Sequence, residues 1–351
     1  MKKILFLYSG ERGKLLKLIK DNEAPDTQLY GMNHLKGDFE VSIHDFSSTF
    51  IGRIFGKYLG FRLRHLLQYF HGLSADIIFG SSLIYMLPLK KIFGMKGKLI
   101  LMNTSLNRFL NNISRNRIIF KIVMNLLKEI DLFVSLSNIQ LNELRDKYNI
   151  SIKKLVFIPL GVDTIFHKPE YDNGKEYILS VGNDGGRDYK TVIEVAKLMP
   201  EKEFHLITNK RNLLGIDSIP SNIKIFFNLN KIELRDKFKE AGILLLALHR
   251  DNYLSGSDCS GQTVLLEGMA SGLPIIVTDK AYISDYVGNN RDDYVTTVEP
   301  YDILNIVNSA KDIFHNKTKY IQKTYNSRKL IEERFSTEIM GRNLSSLFNK
   351  I

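Results

Sequence analysis

Residues 255–287 read SGSDCSGQTVLLEGMASGLPIIVTDKAYISDYV. An apolar run, Ile243–Ala247, comes before the polar loop, and a second, Pro274–Thr278, succeeds a helix-like stretch. Ser260 is placed to cap a helix whose first turn is Gly261-Gln262-Thr263. Gly272 and Pro274 end that helix, because glycine accepts the left-handed conformation after a helix and proline cannot continue one. Strand, polar loop and helix N-terminus in that order present unpaired backbone N–H groups to an anion. Glu267 lies four residues after Thr263 and shares its helical face. A carboxylate there can accept hydrogen bonds from two neighbouring hydroxyls, as on a ribose. The plainer reading of the same signals is a capped helix in an α/β domain.

The alternation extends outward. Lys3–Tyr8, Asp76–Phe79, Lys98–Met102 and Leu132–Leu136 read as buried strands, spaced by periodic stretches such as Ile54–Phe70 and Ile118–Ile130. Lys154–Ile158 runs into the turn signal Pro159-Leu160-Gly161. A second series comes next, with Tyr177–Val181, Glu203–Thr208 and Ile223–Phe227 leading to the two strands already named. Short apolar strands alternating with helices predict parallel sheets covered on both faces. For 351 residues, two consecutive doubly wound α/β domains fit better than one sheet. The plan is an N-terminal domain over 1–165, a C-terminal domain over 166–330 and a closing segment over 331–351. Thr337–Ile351 is amphipathic, either a surface helix or, as the plan takes it, one packed back on the N-terminal domain.

The net charge of +11 is uneven. Residues 1–170 hold 25 Lys and Arg against 14 Asp and Glu, whereas the remainder is balanced at 24 of each. Within residues 51–128, 13 basic side chains meet one acid, Asp76. A field concentrated on one domain attracts an anionic partner. Ser47–Leu73 mixes Phe50, Ile54, Phe61 and Tyr69 with Arg53, Lys57, Arg62 and Arg64, and Arg108–Lys128 repeats the mixture. Such segments suit an anionic membrane surface, though an amphipathic helix with an apolar core face reads the same way. The longest uncharged apolar stretch, Ile77–Leu89, is shorter than a membrane span. The opening apolar run is too short for a signal peptide, and Cys259 alone cannot form an internal disulfide. The expected location is cytoplasmic, peripheral on the inner face of the cell membrane.

SGQTVLLEGMASGLPIIVTD, residues 260–279, resembles the signature of retaining glycosyltransferases of family 4. Those enzymes have the GT-B fold, two Rossmann-like domains facing a central cleft. FIPLGVD (157–163) resembles the segment that closes the first domain, and LSVGNDGGRDYK (179–190) the glycine-rich strand end that opens the second. Asn228–Leu246 resembles the helix and strand before the donor site. The resemblance implies transfer of a sugar from a nucleotide-diphosphate sugar to a glycan or a polyprenyl- or lipid-linked acceptor, in cell-surface polysaccharide or lipopolysaccharide biosynthesis. It implies no metal and no further cofactor, because the protein absorbs the leaving diphosphate's charge and the leaving phosphate can take the acceptor's proton.

Carried onto this chain, Arg187, Lys190 and Glu267 form the catalytic set, with Arg187 on the diphosphate and Glu267 on the ribose. Lys190 equally suits a solvated surface lysine. Gly182, Ser260, Gly261, Gln262 and Thr263 join Glu267 around the donor, and Gly10 and Gly13 either lie on the acceptor side, allowing close approach of the acceptor or the phosphates, or form a plain βα turn. Asp163 reads as a structural turn residue. Two departures stand out: Cys259 occupies the place of the family's first Glu, and Leu101–Ser105 lacks the histidine often found there. Cys259 motivates a competing reading, a non-catalytic nucleotide-sugar binder. Nucleic-acid binding is the other competitor on charge, but no zinc, helix-turn-helix or RNA-binding signature accompanies it.

Overall fold

The computed structural model describes residues 1–8, 10, 12–45, 69–170, 177–251, 253 and 255–351. Most of the periodic stretch Ile54–Phe70 and of the basic-aromatic segment Ser47–Leu73 lies outside the described residues. The chain divides into two compact units. The first comprises Met1–Asn22, Gln28–Pro159 and Glu338–Ile351, and the second Glu23–Thr27 and Leu160–Thr337.

The first unit is built on β1 (Lys2–Leu7), β2 (Phe39–His44), β3 (Ile77–Gly80), β4 (Lys98–Asn103), β5 (Leu132–Ser135) and β6 (Leu155–Phe157). They form one parallel sheet in the order β2-β1-β3-β4-β5-β6. Central strands such as IIFG of β3 are buried throughout, which is why they are continuous apolar runs in the sequence. β2 escapes that pattern because it is an edge strand whose Glu40, Val41 and Ser42 are exposed. The last helix, Thr337–Lys350, sets Phe348 at ring-centroid distances of 6.3 Å from Phe6, 5.8 Å from Phe79 and 6.3 Å from Phe39. Burying a phenylalanine this completely is worth roughly 2–3 kcal/mol and anchors the chain's end to the sheet of this unit.

The second unit contains β7 (Ile178–Val181), β8 (Phe204–Ile207), β9 (Ile223–Phe226), β10 (Ile243–Leu246), β11 (Ile275–Thr278) and β12 (Thr296–Val298). Their order is β12-β11-β10-β7-β8-β9, again parallel throughout. Val192, Val195, Ala196 and Met199 pack with Ile306, Val307 and Ala310 against Phe204, Ile243 and Ile276 in one core. The chain fills β7, β8 and β9 outward on one side, then crosses back to lay β10, β11 and β12 on the other. The carboxyl ends of β7 and β10 are therefore neighbours at the point where the winding reverses. Ligands of such sheets bind there.

Candidate functional site

Two loops meet at that reversal. The loop after β7 carries Gly182 to Asp188, and the loop after β10 leads to helix Gln262–Ala270. Asp184 ties them together. Its Oδ1 accepts from the Gly186 amide at 2.8 Å and the Ser260 hydroxyl at 2.6 Å, and its Oδ2 accepts from the Ser257 amide at 2.8 Å. Burial opposes ionisation of this carboxyl, but the Ser260 hydroxyl, the two amides and nearby Arg187 together hold its pKa below the usual carboxylate value. The His249 amide adds a bond to the Gly186 carbonyl at 3.0 Å.

Arg187 is the group this scaffold holds. Its side chain is buried, and neither Nε nor Nη1 has a hydrogen-bond partner. A Cβ at Gly182, where φ is +148°, would strike the guanidinium, so only glycine leaves room for it. At Gly261, where φ is +93°, a Cβ would stand 2.9 Å from Nη1. Gly261 is the N-cap of helix Gln262–Ala270, and neither its amide nor that of Thr263 makes a hydrogen bond within the described residues. An unmet guanidinium and unmet helix-end amides thus converge. A buried charge left this way costs several kcal/mol unless something anionic satisfies it.

Glu267 sits on the same helix, one turn further on. Burial pushes its pKa up to about 7, while the charges of Lys231 and Arg187 pull the other way. The His167 Nε2 lies 3.8 Å from Glu267 Oε1. Burial, reinforced by Lys231, Arg235 and Arg328, lowers His167 to about 3 and keeps it neutral near pH 7. The phenols of Tyr282 and Tyr286 are buried, and Tyr282 donates to the Ser260 carbonyl at 2.9 Å.

The structure brings Gly182, Arg187, Ser260 and Gly261 together and places Thr263 and Glu267 on the adjoining helix. Ser260 does not cap that helix. The cap is Gly261 in the left-handed region with no side-chain bond, because the Ser260 hydroxyl is committed to Asp184. The Gln262 side chain is buried and donates to the Tyr286 hydroxyl. Lys190 is exposed near the start of helix Tyr189–Lys197 and has no partner among the described residues. Cys259 is half-buried. Asp163 ties its own segment, accepting from the amides of Ile165 and Phe166 at 2.9 Å each and from that of Asp26 at 3.0 Å.

In the first unit, Gly13 opens helix Gly13–Lys20, and its amide and that of Arg12 both donate to Asp45 Oδ2 at 2.6 Å. Gly10 lies beside the Arg12 side chain. Sequence reasoning missed Asp184, His167, Lys231 and Tyr282. Asp184, Lys231 and Tyr282 stood inside stretches already quoted and His167 lies four residues beyond one, but no local signal marked their place at the site. No group of three or more His, Cys, Asp or Glu side chains among the described residues is arranged to hold a metal.

No family model and no curated protein matches the chain. Solved structures do. Sucrose-phosphate synthase from Thermosynechococcus elongatus aligns with a TM-score of 0.72 at 12% identity, over 100% of this chain and 99% of that one. HepE from Anabaena, solved with UDP-glucose, aligns at 0.71 and 11% identity over 100% of both chains. A glycosyltransferase from Rickettsia africae aligns at 0.66 and 13%, over 99% of this chain and 98% of its own. With two parallel six-stranded sheets, these full-length likenesses make the fold that of the GT-B glycosyltransferases, as the motifs predict. At such identities the likeness concerns the fold.

Proposed function

We propose that this protein is a retaining glycosyltransferase of the family 4 type, with its nucleotide-sugar donor held in the second unit. The observation that carries the reading is Arg187, buried with two unpartnered nitrogens against an uncapped helix end. A diphosphate matches it in charge and shape, since a guanidinium forks two phosphate oxygens and helix amides take others. As the bond to the sugar breaks, charge grows on the leaving phosphate, and donors already in place stabilise that charge without reorganising. Glu267, once ionised, accepts hydrogen bonds from the ribose hydroxyls. Lys190, exposed three residues after Arg187, is assigned to assist at the same phosphates. The transfer proposed here needs no metal, because these donors take up the leaving group's charge. The solved HepE complexes with UDP and UDP-glucose support a donor of this chemical class.

In this reading the first unit receives a glycan or lipid-linked acceptor at the inner membrane face, for cell-surface polysaccharide assembly. Helices Leu87–Phe93 and Arg117–Leu127 pack against one another there and expose Ile92, Phe93, Ile118, Ile119 and Ile122. Lys96, Arg115, Arg117, Lys121 and Lys128 are exposed and pair with no acid among the described residues. Exposed apolar side chains in the same segments as unpaired cations suit an anionic bilayer. No described helix is long and apolar enough to cross one.

Calorimetric titration with UDP, GDP and ADP, followed by turnover assays with the matching sugar nucleotides, tests the donor assignment. Submillimolar binding that Arg187→Ala abolishes is expected, and binding indifferent to Arg187 overturns it. Tight binding without sugar release to any acceptor or to water would favour the non-catalytic reading that Cys259 motivates.

A further inference from the structure

His167 is fixed from several directions. Its ring lies edge-on to Phe166 and Phe238, at centroid distances of 5.3 and 5.7 Å. Arg328 on helix Lys317–Arg334 donates to its carbonyl at 2.6 Å and to the carbonyls of Ala270 at 2.5 Å and Thr164 at 2.8 Å. One guanidinium thus staples the segment bearing His167 to the end of the helix bearing Glu267. Of the ring nitrogens, Nδ1 faces the Ser271 hydroxyl at 3.5 Å, whereas Nε2 is buried, has no hydrogen-bond partner and faces Glu267 Oε1 at 3.8 Å. At that range a shift of the carboxylate by under about 1 Å closes a hydrogen bond.

We infer that His167 is a positioning residue for Glu267: Ser271 donates to Nδ1, the ring proton sits on Nε2, and that N–H holds one carboxylate oxygen so that the other meets the ribose. The inference rests on the proposed nucleotide-sugar reading. The charged groups facing the pair are Arg187 beyond β7, Lys231 and Arg235 on helix Lys231–Glu240, and Arg328. All are cations, so they favour the ionised carboxylate and a neutral ring together. A neutral ring has one proton, and with Nδ1 accepting from Ser271 it falls on Nε2. A charge-assisted donor there lowers the cost of ionising Glu267 when the ribose binds.

His167→Phe keeps an aromatic ring between Phe166 and Phe238 and removes the donor, whereas His167→Gln restores an amide N–H near the Nε2 position. The nucleoside diphosphate that binds best in the panel is titrated against each variant from pH 5.5 to 8.5, beside its 2′-deoxy and 3′-deoxy analogues. Expected for His167→Phe is a loss of about tenfold in affinity for the ribonucleotide, the size of one hydrogen bond to a charged group. The loss should shrink for the deoxy analogue lacking the gripped hydroxyl, the pH midpoint of binding should move alkaline, and His167→Gln should recover most of the affinity. Equal losses for ribo- and deoxynucleotides, or an unmoved midpoint, overturn the inference. Nitrogen-15 NMR of the wild-type imidazole decides it without any variant, since a proton on Nδ1 is incompatible with the role. If Glu267→Gln costs the ribonucleotide no more affinity than it costs the deoxy analogues, the parent reading falls. If Glu267 discriminates and His167 does not, only this inference falls.

Discussion

The two sheets solve the same local problem in opposite ways. In each sheet the first strand in the chain is buried and is followed by a glycine-containing loop and a helix. In the first, the amides of Arg12 and Gly13 are claimed by Asp45, so the protein supplies its own anion. In the second, Asp188 caps helix Tyr189–Lys197 by accepting from the Thr191 amide, yet Arg187 beside it and the start of helix Gln262–Ala270 are left unmet. An arrangement satisfied from within contributes stability, whereas one left open costs stability and keeps its donors for a ligand. Glycine-rich loops look alike in sequence, and only the occupancy of their donors separates the two cases.

The sharpest way to break this contrast is to remove the unmet charge. Arg187→Ala should lower turnover by about 10²–10³-fold, the scale of losing one preorganised oxyanion donor. The apo protein should keep its melting temperature or gain a little, because an unpaired buried charge is gone. Steady-state kinetics beside calorimetric unfolding check both, and a clear loss of apo stability would mean that Arg187 is already satisfied.

Gly261→Ala tests the space around the guanidinium. A methyl group 2.9 Å from Nη1, on a residue with φ of +93°, should weaken nucleotide affinity by about tenfold and cost ~1–2 kcal/mol of stability. Binding titrations and denaturant melts report the two separately.

Asp45→Ala is the mirror experiment in the first unit. It leaves two amides without their acceptor and should cost ~1–3 kcal/mol in urea unfolding. Nucleotide affinity should stay at the wild-type value. A loss of affinity would show that the first unit's loop also takes part in donor binding.

The smallest expected effect is on pH dependence. Glu267 has a folded pKa of about 7, raised above its unfolded value of about 4.3, so its share of apo stability is present at low pH and is lost as pH rises through about 7. His167, lowered to about 3, does the reverse: its share is lost as pH falls from its unfolded value of about 6.5 toward about 3. The two oppose each other below about 6.5, so the Glu267 part is read as the difference between wild type and Glu267→Gln. Wild-type stability should fall relative to that of Glu267→Gln as pH rises from 5.5 to 7.5, while wild-type nucleotide affinity grows across the same range. Melting curves and titrations at matched pH check the sign.

The strands were legible because a strand buried on both faces is a continuous apolar run, as in ILSV of β7 and ILLL of β10. β2 and β12 were not, since FEVSIH is half-exposed and TTV is short and rich in threonine. At the candidate site, the motif marked a loop and a helix that the structure also has. It misplaced the cap, because Ser260 is a capping residue by type but a partner of Asp184 in space, a residue 76 positions away.

By itself the sequence determined the features that local chemistry dictates: two series of buried strands, a helix opening on a serine- and glycine-rich loop, and the excess of positive charge in the first half. Those properties depend on residue type and short spacing, and survive in any order of strands. The tertiary structure alone decided which donors remain unmet. It did so by placing the ends of β7 and β10 side by side and by setting His167 against Glu267, 100 residues apart in the chain. Whether a polar group is paired depends on the atoms within about 3 Å of it, and in a doubly wound sheet strands far apart in the chain settle that.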